Sequence, residues 1–163
     1  MRTLFQRAIT LFAICLSVSQ FAITHASAQT LLTITGNGIA EPITLDKAAL
    51  AGMGEQSFET TTIWTEGVQR FTGVSLVALL QSLGVSEGVL LASAINDYTV
   101  EIPVSDAVEN GPIIAYERNG KDMSIRDKGP LWVVYPYDAN IDYQTEVVYS
   151  RSIWQLDRIE VSE

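Results

Sequence analysis

Cysteine and histidine occur once each in this 163-residue chain, as Cys15 and His25, and both lie in a segment that reads as a removable export leader. Arg2 and Arg7 supply its positive start, a largely apolar run follows from Ala8 to Ile23, and Ala26-Ser27-Ala28 forms a small-residue cleavage site. Ser17, Ser19 and Gln20 interrupt a run already short of the roughly 20 apolar residues a spanning helix needs, so no direct membrane insertion is expected. The expected organisation is a cleaved signal peptide, residues 1–28, followed by a single periplasmic domain, residues 29–163. That domain carries neither thiol nor imidazole. Disulfides, thiolate-held cofactors, Cys or Ser–His catalysis and the usual zinc ligands are thereby excluded from it. It must fold on its apolar core alone and act through carboxylates, guanidiniums, hydroxyls, amides and aromatic rings.

Charge narrows the partners. Residues 29–163 hold 8 basic against 19 acidic side chains, a net charge of −11. A surface of that sign repels nucleic acid and anionic lipid, and no basic cluster offsets it. It serves either as the solvated skin of an exported protein or as an acidic docking face. No calcium-loop spacing of the D-x-D-x-D-G kind occurs, and Gly36-Asn37-Gly38 lacks the glycine spacing and following helix of a phosphate loop.

No repeat or low-complexity tract divides the domain. Leu31 to Thr35 alternates as an opening strand, and Thr44 is positioned to cap a short helix from Leu45 to Ala51. Phe58 to Trp64, rich in threonine, is expected as a strand. Ser75 caps the clearest helix, in which Leu76, Leu79, Leu80 and Leu83 share a face before Gly84 stops it. Tyr98, Val100 and Ile102 alternate with Thr99 and Glu101. Ser105 to Asn110 reads as a helical turn. Ile113 to Glu117 and Asp122 to Ile125 flank Asn119-Gly120, a strong hairpin signal. Leu131 to Tyr135 and Ser152 to Val161 complete an α+β, β-dominated domain with a few short helices.

Four blocks of this order carry a resemblance. Phe71-Thr72-Gly73-Val74-Ser75-Leu76 with Leu79-Leu80, then Asn96-Asp97-Tyr98, then Asn119-Gly120 with Gly129-Pro130-Leu131-Trp132 to Pro136, and finally Ile153-Trp154 with Ile159-Glu160-Val161 resemble the corresponding stretches of the sulfite oxidase family. The resemblance implies that family's molybdopterin-binding fold. It also implies where the chain departs from it. The family's metal-holding cysteine, a few residues before a tryptophan, corresponds to Thr60-Thr61-Thr62 ahead of Trp64. A threonine hydroxyl is far too weak an acid to replace a thiolate on a soft-ligand metal. Trp132 stands where the family's arginine would be, and the lysine before its tryptophan is absent. The chain is in this respect similar to small periplasmic pterin-binding proteins of the same fold. Those serve membrane-bound cyclic-di-GMP enzymes as ligand receptors.

That resemblance implies a pterin, in its reduced form, as ligand, no metal, and no metal-dependent catalysis. The implied partner is the periplasmic domain of an inner-membrane enzyme of the GGDEF/EAL type. The rival expectation is a molybdenum-cofactor oxidoreductase that holds molybdopterin without a covalent bond. A third is an interaction module without a small ligand. Binding a flat bicycle needs an aromatic wall and polar groups facing its edge. Trp64, beside Thr62, could stack on such a ring or be a core tryptophan. Asp97, with Asn96 and Tyr98, could face the amino edge or simply build a turn. Arg151 follows what reads as a polar strand, and could aim at the same hollow or form a surface ion pair. Tyr135 and Tyr137, around Pro136, are candidates for its rim, while at least one of Trp132 and Trp154 should be plain core. If the leader is read correctly, the exported protein begins at Gln29. Intact-mass measurement of the periplasmic product checks this, and a retained Met1–Ala28 segment would contradict it.

Overall fold

Alternation in the first strand places Leu32 and Ile34 on one side, both fully buried, and turns Thr33 and Thr35 outward. The computed structural model describes residues 29–163, so the expected leader and its cleavage site lie outside the described residues. Along them run β1 (Leu32–Gly36), β2 (Ile43–Leu45), α1 (Lys47–Gly52), β3 (Glu55–Thr60), β4 (Gln69–Ser75), α2 (Leu76–Leu83) and β5 (Val89–Ala94). There follow β6 (Thr99–Pro103), β7 (Ile113–Arg118), β8 (Lys121–Asp122), β9 (Trp132–Val134), α3 (Glu146–Arg151) and β10 (Leu156–Ser162). The architecture is α+β and dominated by strands. One sheet has the order β2-β1-β10-β5-β6, in which β1 and β10 run parallel. The other has the order β3-β4-β7, with β8 and β9 sharing the far edge of β7.

The sheets are joined where β9 meets the approach to β10. Val133 N donates to Ile153 O at 2.9 Å, Leu156 N donates to Leu131 O at 3.1 Å, and Trp132 and Trp154 form a bridge pair between them. Trp132 belongs to the second sheet through its register with Ala115, while Leu156 opens β10 in the first. Backbone hydrogen bonds therefore lock the two layers at one point. Around it Phe71, Leu79, Leu90 and Trp132 are fully buried.

Several sequence expectations meet this fold directly. Ser75 Oγ accepts from Ala78 N at 3.2 Å, and Gly84 ends α2 in the left-handed region at φ 70°. Asn119 and Gly120 take φ values of 55° and 73° between β7 and β8, as a two-residue hairpin requires. Others need correction. Thr44 lies in β2, and Asp46 caps α1 by accepting from Ala49 N at 2.7 Å. The threonine strand ends at Thr60, so Trp64 sits on the loop that follows. Arg151 does not follow a strand. It closes α3, whose cap Thr145 accepts from Val148 N at 3.3 Å. Residues 152–155 are irregular, and β10 starts at Leu156. Ile125 belongs to a turn of 3-10 helix beyond β8.

Gly73 shows why one residue of the first resembling block is obligatory. The β4–β7 register shifts between Thr72 and Gly73, and a Cβ at Gly73 would stand 2.1 Å from Ile114 O. No rotamer change can relieve a clash with backbone. Gly73→Ala should destabilise the domain by about 3 kcal/mol. Urea unfolding checks this, and an unchanged midpoint would show that the two strands separate freely there.

Candidate functional site

Four irregular or terminal segments surround a hollow of about 340 Å³ beside the junction of the sheets. The loop after β3 brings Trp64, the β5–β6 turn brings Asn96 and Tyr98, α3 brings Tyr149, and the segment before β10 brings Trp154 and Gln155. Its volume lies within the range that small-molecule sites occupy. The lining contains no carboxylate, ammonium or guanidinium. Among the described residues, Asn96 uses its Oδ1 to accept from Tyr98 N at 3.3 Å, while its Nδ2 has no partner. Gln155 donates through Nε2 to Ile125 O at 2.8 Å, and its Oε1 remains unused among the same residues. Aromatic walls with an amide donor and an amide acceptor suit a flat, neutral heterocycle whose edge carries both kinds of group.

Trp64 is placed by its neighbours. Its ring meets Trp154 at 5.5 Å, Tyr149 at 5.7 Å, Trp132 at 5.8 Å and Tyr137 at 6.4 Å between centroids, each edge to face. Such contacts contribute about 0.5–1.5 kcal/mol apiece beyond the buried area. The loop carrying Trp64 is also tied at its base. Asp138 accepts from Thr61 N and from Thr61 Oγ1, both at 2.6 Å, while Asp138 N donates to the buried Thr60 Oγ1 at 3.1 Å. Thr62 Oγ1 accepts from Trp64 N at 3.1 Å and pairs with Thr65 Oγ1 at 2.8 Å. Trp64 is thus core on one side and cavity wall on the other. Below it Tyr137 donates to Ser152 Oγ at 2.6 Å, and burial pushes its phenol up to about 12.

Compared with known proteins, the chain matches the oxidoreductase molybdopterin binding domain over residues 23–162. The chain belongs to the molybdopterin-binding domain family. No curated protein matches it. The cofactor of this domain family joins a pterin to a metal-binding dithiolene and a phosphate, and these parts fit the site unequally. Its pterin portion suits the aromatic and amide lining. Its phosphate would meet no cationic side chain in that lining. For the metal, the threonines that the resemblance sets at the ligating position, Thr60, Thr61 and Thr62, spend their hydroxyls on Asp138, Thr65 and backbone. No group of three His, Cys, Asp or Glu side chains stands ready to hold a metal ion among the described residues. The residues present therefore fit the pterin and not a thiolate-held molybdenum.

The structure brings Trp64, Asn96 and Tyr98 together and leaves Thr62, Asp97 and Arg151 out of the lining. Asp97 occupies the left-handed position of the β5–β6 turn at φ 66°, and its carboxylate pairs with Arg158. The turn accounts for that residue. Arg151 pairs with Asp106 at 3.0 Å, and Tyr135 donates to the same carboxylate at 2.7 Å. Tyr135 and Tyr137 are buried supports and do not rim the cavity. Tyr149, Trp154 and Gln155 were not singled out for binding from sequence. Thr145-Glu146 carried a signal for α3, a cap followed by an acid, which would have placed Tyr149 one helical turn along.

Asp138 makes the Trp64 loop sensitive to acid. Hydrogen bonds from the Thr61 side chain and backbone hold its carboxyl below the ordinary value of 3.8. A carboxylate with a lowered folded-state pKa contributes stability in full above the unfolded value, and this is lost as pH falls through the folded one. The stability gap between the parent protein and Asp138→Ala should therefore be widest near neutral pH and close as the pH drops below about 4. Thermal melts across pH 2.5–7 check this, and a pH-independent gap would remove Asp138 as the fastening.

Proposed function

We propose that this protein is a periplasmic receptor that binds a reduced pterin without metal and regulates a membrane-bound cyclic-di-GMP enzyme. One observation carries the reading: a member of a molybdopterin-binding family has a cavity walled by aromatic rings and neutral amides. The resemblance that sets Thr60-Thr61-Thr62 against the family's ligating cysteine supports a ligand held without metal. No helix among the described residues is long and apolar enough to cross a membrane. In this reading a signal from the periplasm reaches the cytoplasm through a membrane-spanning partner. The ligand acts by differential affinity, because a partner that prefers one ligand state over the other is the condition for transmitting anything.

Tetrahydrobiopterin is a suitable probe. Ligand that binds only the folded state stabilises by about 2.7 kcal/mol at a hundredfold excess over Kd, which raises the melting temperature by several degrees. Trp154→Ala and Tyr98→Ala should weaken this shift, because both side chains line the cavity, while Asp97→Gly should preserve it. Elemental analysis of protein from cells that make molybdopterin belongs to the same experiment. No pterin-dependent shift would refute the receptor reading. Near-equimolar molybdenum with sulfite-dependent turnover would establish the oxidoreductase instead.

A further inference from the structure

Exposed apolar residues concentrate on the segments that line or adjoin the cavity. Five of the eight large exposed apolar residues among the described residues stand beside lining residues. Tyr98, 58% exposed, lines the cavity itself. Ile63 directly precedes Trp64, and Ile95 lies between the lining residues Ala94 and Asn96. Ile125 gives its carbonyl to Gln155, and Val147 shares a shallower hollow with Tyr98 and Ser150, both of which also line the cavity. Scattered single exposures are normal on any surface, but clustering of this kind marks an interaction site.

The charges around it select the occupant. Glu66 on the Trp64 loop, Glu146 at the start of α3, and Glu101 on β6, which shares the shallower hollow with Val147, are exposed and make no ion pair among the described residues. On the 3-10 turn whose Ile125 accepts from Gln155, Arg126 and Asp127 are of opposite charge, and the Lys128 ammonium sits 4.5 Å from the centre of the Trp154 ring. Asp97 and Arg151 are already paired with Arg158 and Asp106. The ring is therefore apolar within and acidic without. A second copy, whose residues 29–163 carry −11, would bring like charges together, and an anionic bilayer would be repelled in the same way.

We propose that the cavity mouth is the docking surface for a protein partner whose contact patch is apolar at its centre and basic at its rim, so that the partner sits over the bound ligand. This locates the partner surface of the receptor reading and rests on that reading for what the contact reports. Tyr98 belongs to both the lining and the exposed rim, and it is the side chain through which an occupied cavity alters the surface offered to the partner.

Site-specific photocrosslinking in the native periplasm tests this, with benzoylphenylalanine at Val147 or Ile125 and, as distant positions, at Glu87 or Lys121 of the full chain. The expected result is an adduct with one identified protein, formed at the first pair and absent at the second. Its crosslinked peptide should carry apolar residues flanked by Lys or Arg. Adding Glu101→Lys and Glu146→Lys should reduce the adduct at least fivefold. Equal adducts at all four positions, no adduct at the mouth, an adduct of the chain with itself, or one indifferent to charge reversal would each overturn the proposal. Tetrahydrobiopterin melts on Val147→Asp separate the two claims. A preserved shift with a lost adduct supports the docking surface. An adduct that meets every condition without any pterin shift supports the surface and refutes the pterin.

Discussion

The edge-to-face contact between Trp64 and the Trp132–Trp154 pair is the interaction on which this molecule turns. Trp132 and Trp154 lie where backbone hydrogen bonds cross from one sheet to the other, so their rings are fixed by both layers. Trp64 arrives from a loop with no sheet of its own and settles on them. The loop's conformation is therefore a property of the whole core. A cavity wall supported this way is in place before any ligand arrives, which spares binding the cost of ordering it.

The same arrangement explains how a chain without the family's thiolate can keep a specific shape at the corresponding place. A metal–thiolate bond would anchor a loop to its cofactor. Here Thr60 and Thr61 anchor it to Asp138, through three hydrogen bonds that involve the protein alone. Carboxylate acceptors make such bonds stronger than neutral ones. The threonines thus have a positive structural role, and the hydroxyl that could never ligate a soft metal is well suited to capping a turn.

Local signals with a single physical meaning were legible in the sequence. Ser75 and Gly84 bracket α2 because one end needs an acceptor and the other a left-handed residue. Asn119-Gly120 could form little else but a hairpin turn. Composition misled where side chains had tertiary work. Thr60, Thr61 and Thr62 look like strand residues, yet their hydroxyls bond to other groups and end the ladder. Val147 and Val148 suggest a strand as well, yet the Thr145 cap and the burial of Val148 make a helix there. Of the cavity lining, Trp64, Asn96 and Tyr98 were legible because they stand out as residue types, while Trp154 read equally well as core. Tyr149 and Gln155 were not, because only the meeting of α3 with the segment before β10 gives them a role. Asp97 and Arg151 drew attention as charges, and the fold pairs each with an opposite charge outside the cavity lining.

Charge is in fact segregated throughout. Ionised groups lie on the surface or in pairs beside it, while the cavity lining is neutral. Two kinds of recognition then follow different rules. Inside, selection rests on ring shape and amide hydrogen bonds, which salt scarcely screens. Outside, an acidic rim would steer the basic partner proposed above, through an attraction that decays over about 8 Å at physiological ionic strength. Raising salt should slow the partner's association while leaving pterin affinity nearly constant. Under the proposed function, the division would let a ligand that carries no net charge control an encounter governed by charge: it would enter by shape and change only the apolar centre at Tyr98, which the partner would meet after the rim had oriented it.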